Sequence, residues 1–233
     1  MTDRTREACD YVSAALAEVA NPEKAAGMQA YMKTDMPFYG VPKPGRVPIL
    51  RHLVKEFPPE DRDQYEELIL ALWALPHREE KYLAQGLAVR HKRFIVPDSL
   101  PLYKIMIVEG AWWDLVDEAA THMIRPLVIN YPGQVWSTVD PWIDDEDMWL
   151  RRTAIICQVG AKENTDPGRL FRFCASRMHE EEFFIRKAIG WALREYAKTD
   201  GPAVARFANR HRDDLSGLSF REATKHIQDL LDP

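Results

Sequence analysis

Cysteine is scarce: Cys9, Cys157 and Cys174 are the only three in 233 residues. They are far apart and odd in number, so they match neither a disulfide framework nor a metal-binding spacing, and a reducing compartment is expected. The seven histidines are scattered, without an H-x-x-x-H or H-E-x-x-H pattern, so neither a bound metal nor any other cofactor is expected. No apolar run is long enough to span a bilayer. The opening residues, MTDRTREACD, are polar and contain no apolar signal core, so a cytoplasmic protein is expected. Alternating Val/Ile segments are also lacking. Phe94-Ile95-Val96 is short and stops at Pro97, which leaves little for a sheet. Linkers and low-complexity tracts are missing, so residues 1–233 are read as one domain.

Positive charge is in short supply as well. The formal net charge of -5, taken alone, argues against nucleic acid as a partner. The distribution says more. Acid is concentrated in Glu60-Asp61-Arg62-Asp63 and Asp144-Asp145-Glu146-Asp147, whereas between Trp149 and His226 lysine and arginine outnumber aspartate and glutamate. A basic face on an acidic protein is compatible with this pattern, and so is a mixed solvated surface.

What the chain does have is helix signal. Asn21-Pro22-Glu23 reads as an N-cap with proline at the first helical position, opening a helix that runs to about Lys33. Pro42, Pro44 and Pro48 mark a loop and the entry to a helix from about Val47 to Glu56, and Pro58-Pro59 ends it. In the next helix Tyr65, Leu68, Ile69, Leu72 and Trp73 fall at core spacing. Further helices are expected at 78–92, 98–109, 111–125, 132–140, 146–160, 166–178, 181–198, 202–210 and 219–230, with breaks at prolines and glycines such as Gly110, Pro126 and Pro167. Short helices joined by tight loops predict an all-α fold of antiparallel pairs. Two segments, DDEDMWLRRTAIICQVG and EEEFFIRKAIGWALREYA, echo one another at roughly HEAT-repeat spacing. Such repeats stack into solenoids with a concave binding surface.

Three helices carry candidate functional residues. In Trp112-Trp113-Asp114-Leu115-Val116-Asp117, the residues Trp112, Leu115, Val116, Ala119 and Met123 form one apolar stripe. Trp113 and Asp117, four apart, are neighbours on its flank. An indole beside a carboxylate, neither needed for a core, suits stabilisation of a cationic transition state. In the helix at 181–198, Ile185, Ala188, Ile189, Ala192, Leu193 and Tyr196 make the apolar face, and Lys187, Trp191, Arg194 and Lys198 lie opposite. Cations with an interleaved aromatic suit a phosphate backbone and a sugar or base; packing of Trp191 against a neighbouring helix is the structural alternative. At 146–160, Arg152 falls within the apolar side made by Met148, Trp149, Ile155, Ile156 and Val159. A guanidinium there needs a partner. It is either a structural ion pair, with Asp117 a candidate, or an arginine facing a groove. Tyr31, near a helix end, reads by itself as a core residue with its hydroxyl at the surface.

The segments NPEKAAGMQAYMK, FYGVPKPGR, AWWDLVDE, MWLRRTAI and FFIRKAIGWALREYAK resemble, in order and spacing over nearly the whole chain, the AlkD-type DNA glycosylases, a family of HEAT-like-repeat alkylpurine glycosylases. The resemblance implies an all-α superhelix of HEAT-like repeats that holds duplex DNA in a basic concave channel. It also implies hydrolysis of the N-glycosidic bond of alkylated purines, of the 7-methylguanine and 3-methyladenine type. It assigns the catalytic carboxylate to Asp117 and the sugar-contacting indoles to Trp113 and Trp191. Groove arginines correspond to Arg152 and Arg194, a further phosphate contact to Lys198, and a tyrosine near the lesion to Tyr31. Lys187 and Arg46 complete the expected DNA contacts. The chain departs from the pattern where Pro44-Gly45-Arg46-Val47 replaces P-x-R-R, and at Pro42 and Gly160, which narrows the expected phosphate footprint.

An alkylated purine is already a cationic leaving group, so a site with a carboxylate and no evident acid suffices. No lysine accompanies Trp113 and Asp117, so a monofunctional enzyme without a Schiff-base step is expected. The family grips sugar and backbone and leaves the base largely stacked, unlike enzymes that flip it. A monomer acting on double-stranded DNA, with no metal and no membrane, is the expectation. The alternatives are a non-catalytic HEAT-repeat binder of bent or branched DNA and a protein-binding scaffold with Trp113 and Trp191 as anchors.

Overall fold

A computed structural model describes residues 1–232. Among them there is no strand, and no helix is long and apolar enough to cross a membrane. The chain is all-α, and its contacts divide it into two compact units with the boundary after Leu102.

The first unit holds α1 (Asp3–Glu18), α2 (Pro22–Met32), α3 (Lys43–Glu56), α4 (Arg62–Ala74) and α5 (Arg78–Arg90). Side-chain oxygens start several of them. Thr2 accepts from the Thr5 amide, Asn21 from Lys24 and Asp61 from Gln64, each satisfying an amide that the first turn leaves open. α1 precedes the helices expected from sequence; Ala8, Val12 and Leu16, spaced four apart, form its fully buried face. α3 begins at Lys43 rather than near Val47, because Pro44 falls in the first turn, where its missing N–H has no partner to lose. Leu53, Tyr65, Ile69, Leu72, Leu83 and Leu87 complete this core.

The loop between α2 and α3 is pinned by a buried acid. Glu79, fully buried, accepts from the amides of Tyr39, Gly40 and Val41 at 3.0, 2.9 and 3.0 Å. Its neighbour Glu80 accepts from Ser13 Oγ at 3.0 Å and Tyr39 Oη at 3.1 Å. Buried carboxylates are tolerated only with such a set of donors.

α6 (Leu100–Gly110) crosses the boundary. The second unit continues with α7 (Trp113–Ala119), a π turn at Ala120–Ile124, α8 (Arg125–Asn130), α9 (Pro132–Val139), α10 (Met148–Ile156), α11 (Pro167–Arg177), α12 (Phe183–Ala197), α13 (Gly201–Arg210) and α14 (Gly217–Thr224). The break expected at Pro126 does not occur. The turn ahead of it widens, with the Arg125 amide donating to Ala120 O five residues back, and the helical path runs on to Asn130. A π turn accommodates the proline that an unbroken α-helix would exclude. α10 is shorter than the expected 146–160. Asp147 caps it by accepting from the Trp149 and Leu150 amides, and it ends before a turn that reaches Gly160 at φ +81°. α14 starts two residues early, capped by Ser216, and stops at Thr224 rather than near 230.

α12 is the hub of this unit, packing against α10, α11, α13 and α14. Ile185, Ala188, Ile189, Ala192 and Leu193 are buried as the periodicity predicts. Gly190 brings α14 close, since a Cβ there would lie 2.5 Å from Glu222 Cβ. In the first unit Gly40 carries a comparable constraint, with φ +80° and an added Cβ only 2.1 Å from Asn21 O. Gly40→Ala is expected to cost at least about 1–3 kcal/mol, read as a lower midpoint in chemical denaturation.

Candidate active site

α7, α10 and α12 meet around one buried ion pair. Arg152 Nε donates to Asp117 Oδ1 and Nη2 to Oδ2, both at 2.8 Å. The remaining nitrogen, Nη1, donates to the carbonyl of Phe184 at 2.6 Å. The fork of the guanidinium matches the carboxylate edge on. The structure thus gives Arg152 the ion pair that was one of its two sequence readings, and a position as the partner of Asp117.

An aromatic plate backs the pair. The Trp112 ring stands edge-on to Phe184 with centroids 5.3 Å apart, and Trp149 is 5.0 Å from Phe184 and 6.1 Å from Trp112. α7 begins at Trp113 rather than at the expected 111, and Trp112 is its N-cap with extended backbone (φ -155°, ψ 147°), which turns the two adjacent tryptophans apart. Trp112 packs into this plate, while Trp113 turns to an open cavity of about 370 Å³. Asp117 and Trp191 line the same cavity, with Arg152, Phe183, Phe184, Lys187 and Arg194. The Asp117 side chain keeps 19% of its surface exposed and that of Arg152 only 5%, so the carboxylate faces the cavity and the guanidinium lies behind it. Burial pushes the Asp117 carboxyl above its ordinary pKa, the hydrogen bonds and charge of Arg152 pull it back, and Asp114 adds a small upward push.

Lys187 and Arg194 flank Trp191 along α12, and both are bound by Glu222 of α14, Lys187 at 2.8 Å. Lys198 lies apart. It pairs with Glu195 at 2.7 Å and borders a second cavity of about 260 Å³ with Lys162 and Tyr196. Tyr31 and Arg46 belong to the first unit, where Tyr31 is 72% exposed rather than a core residue and the Arg46 guanidinium stacks 4.1 Å from the centre of the Tyr82 ring. No group of His, Cys, Asp and Glu among the described residues is arranged to hold a metal. The three cysteines are buried and unpaired, and burial raises all three thiols above their usual pKa.

Sequence reasoning passed over Phe183, Phe184 and Glu222. The two phenylalanines stand at the start of a helix whose stripe was read from Ile185 onward. Along the sequence Glu222 is one more acid in a stretch richer in lysine and arginine. Gly190, beside Trp191, was the available signal that another helix approaches there.

The carboxylate, the arginine and the two indoles thus share one cavity in an all-helical chain. The sequence model of the DNA alkylation repair enzyme family matches residues 12–227. A solved structure described as a predicted DNA alkylation repair enzyme from Enterococcus faecalis is 33% identical to this chain, with a TM-score of 0.79, over 90% of this chain and 97% of the other. No curated protein matches significantly. The chain belongs to the DNA alkylation repair enzyme family.

Removing the arginine tests the pair. Arg152→Ala leaves Asp117 buried without its cation, an expected cost of about 3–5 kcal/mol at neutral pH. A carboxyl whose pKa is raised by folding loses stability as pH rises through the folded value and recovers it on acidification. The penalty in Arg152→Ala is therefore expected to shrink from pH 7.5 to pH 5, checked by urea denaturation at both; an equal penalty at both contradicts the assignment.

Proposed function

We propose that this protein is a monofunctional alkylpurine DNA glycosylase that hydrolyses the N-glycosidic bond of N3- and N7-alkylated purines in duplex DNA. The observation that carries the reading is the presence of Asp117, Trp113 and Trp191 on one cavity. Lys187 and Arg194 at its rim suit the flanking phosphates, and Lys198, Tyr31 and Arg46 are further DNA contacts. The family match runs across both units, in keeping with one working domain.

Alkylation puts a positive charge on the purine. When the C1′–N9 bond breaks, its electron pair leaves with the base and neutralises that charge, while the sugar becomes an oxocarbenium ion. Water then adds at C1′ and loses a proton. A carboxylate about 4 Å from the sugar cation gains about 4 kcal/mol at an effective dielectric near 20, and the Arg152 charge about 4 Å behind it takes back about half. The net of about 2 kcal/mol is some thirtyfold in rate, if confined to the transition state. Each indole face adds about 0.5–2 kcal/mol by cation–π attraction. Together these terms reach about 10²- to 10⁴-fold. Asp117 also orients or deprotonates the attacking water, a smaller contribution because a developing cation needs only a weak nucleophile.

The bidentate Asp117–Arg152 pair also suits a second reading, a non-catalytic binder of bent or branched DNA, since it leaves the carboxylate partly neutralised. Release of base separates the two. Purified protein is expected to liberate 7-methylguanine from methylated duplex DNA, and Asp117→Asn to reduce release nearly to background while DNA is still retained in a gel shift. Trp191→Ala is expected to slow release about tenfold for each ~1.4 kcal/mol of lost attraction. Retained DNA with no base release from the unaltered protein favours the binder.

A further inference from the structure

Glu222 of α14 pairs with both Lys187 and Arg194, the cations that flank Trp191 on the cavity. One carboxylate oxygen accepts from Lys187 Nζ at 2.8 Å and the other from Arg194 Nη1. Backbone packing sets this position. Gly190 admits α14 against α12, where a Cβ would meet Glu222 Cβ at 2.5 Å and Ser219 O at 3.1 Å. Ser219 Oγ ties the two helices by donating to Arg186 O at 2.9 Å. The hydrogen bond from Lys187 lowers the Glu222 carboxyl below its usual pKa; burial opposes it, and the charges of Lys187 and Arg194 add to the lowering, so it is an anion at neutral pH. The pair sites remain open to water, with side-chain exposures of 37% for Lys187, 25% for Arg194 and 23% for Glu222.

Two anionic oxygens spanning a lysine and an arginine on either side of an indole present what a phosphodiester would present. We infer that Glu222 is an internal stand-in for a DNA phosphate, occupying Lys187 and Arg194 on the free protein and competing with the backbone phosphate beside the lesion. It limits how tightly undamaged duplex is retained. A carboxylate needed only to hold the helices together predicts the opposite sign, because its loss would loosen the cations and weaken binding.

The inference rests on the reading of this face as a DNA surface, and one titration separates the two. Binding of undamaged duplex is measured for the unaltered protein and for Glu222→Gln across a salt series, with thermal unfolding to confirm that both are folded. One released cation contact adds about 0.9 to the magnitude of the slope of log K against log salt, which is about five- to tenfold in affinity near 0.1 M salt. Glu222→Gln is therefore expected to bind more tightly by that factor with a steeper slope. If Glu222→Gln does not fold, Glu222→Asp carries the test: its shorter carboxylate reaches only one cation, and binding is expected to tighten at least twofold. No binding by the unaltered protein removes the DNA reading and the inference together. Binding that the folded variant leaves unchanged or weakens overturns the inference alone.

Discussion

The contact between Arg152 and Asp117 governs the site. A carboxylate as enclosed as Asp117 would take up a proton if left alone, and a neutral acid cannot stabilise a sugar cation. The paired guanidinium, fixed by Phe184 O on its far side, counters that uptake. The same cation subtracts from the field Asp117 presents to the cavity, so the pairing trades field strength for a held position and a retained charge. The aromatic plate of Trp112, Trp149 and Phe184 reinforces the arrangement by keeping water from the back of the pair. Exposure is left on the side where a sugar would enter.

Three short helices supply the site because each contributes one face to packing and one to the cavity. α7 sends Leu115 and Val116 inward and Trp113 and Asp117 outward. α12 buries Ile185, Ala188 and Ile189 and leaves Lys187, Trp191 and Arg194 on the other side. The fixed angular step of the helix is what sorts adjacent residues into these roles. Glu222 then enters from α14 over Gly190, the position where a side chain would hold the helices apart.

Periodicity made much of this legible. The stripes of α7 and α12 follow from spacing alone, and the need of Arg152 for an anion follows from its place on an apolar face; Trp112 parts from Trp113 because it is the extended N-cap of α7, which spacing does not show. Local signals failed where neighbours outside the segment decide the outcome. Pro126 reads as a stop, yet the π turn before it carries the helix onward. α1 lies before the first expected helix, and its stripe of Ala8, Val12 and Leu16, two of them small, suffices once α3 and α4 cover it. Tyr31 reads as core and is exposed. Glu222 was illegible because its role is created by a contact between residues 28 and 35 positions apart, and spacing along one helix carries no trace of it.

A cavity built this way would recognise positive charge on a deoxyribose. Duplexes carrying a stable sugar replacement at one position test it directly, one with a cationic pyrrolidine ring and one with a neutral tetrahydrofuran ring of the same shape. With about 2 kcal/mol from the paired carboxylate and about 0.5–2 kcal/mol from each indole face, the unaltered protein is expected to bind the cationic duplex about 10²- to 10⁴-fold more tightly, with most of that preference lost in Asp117→Asn. Equal affinity for the two duplexes would contradict the claim.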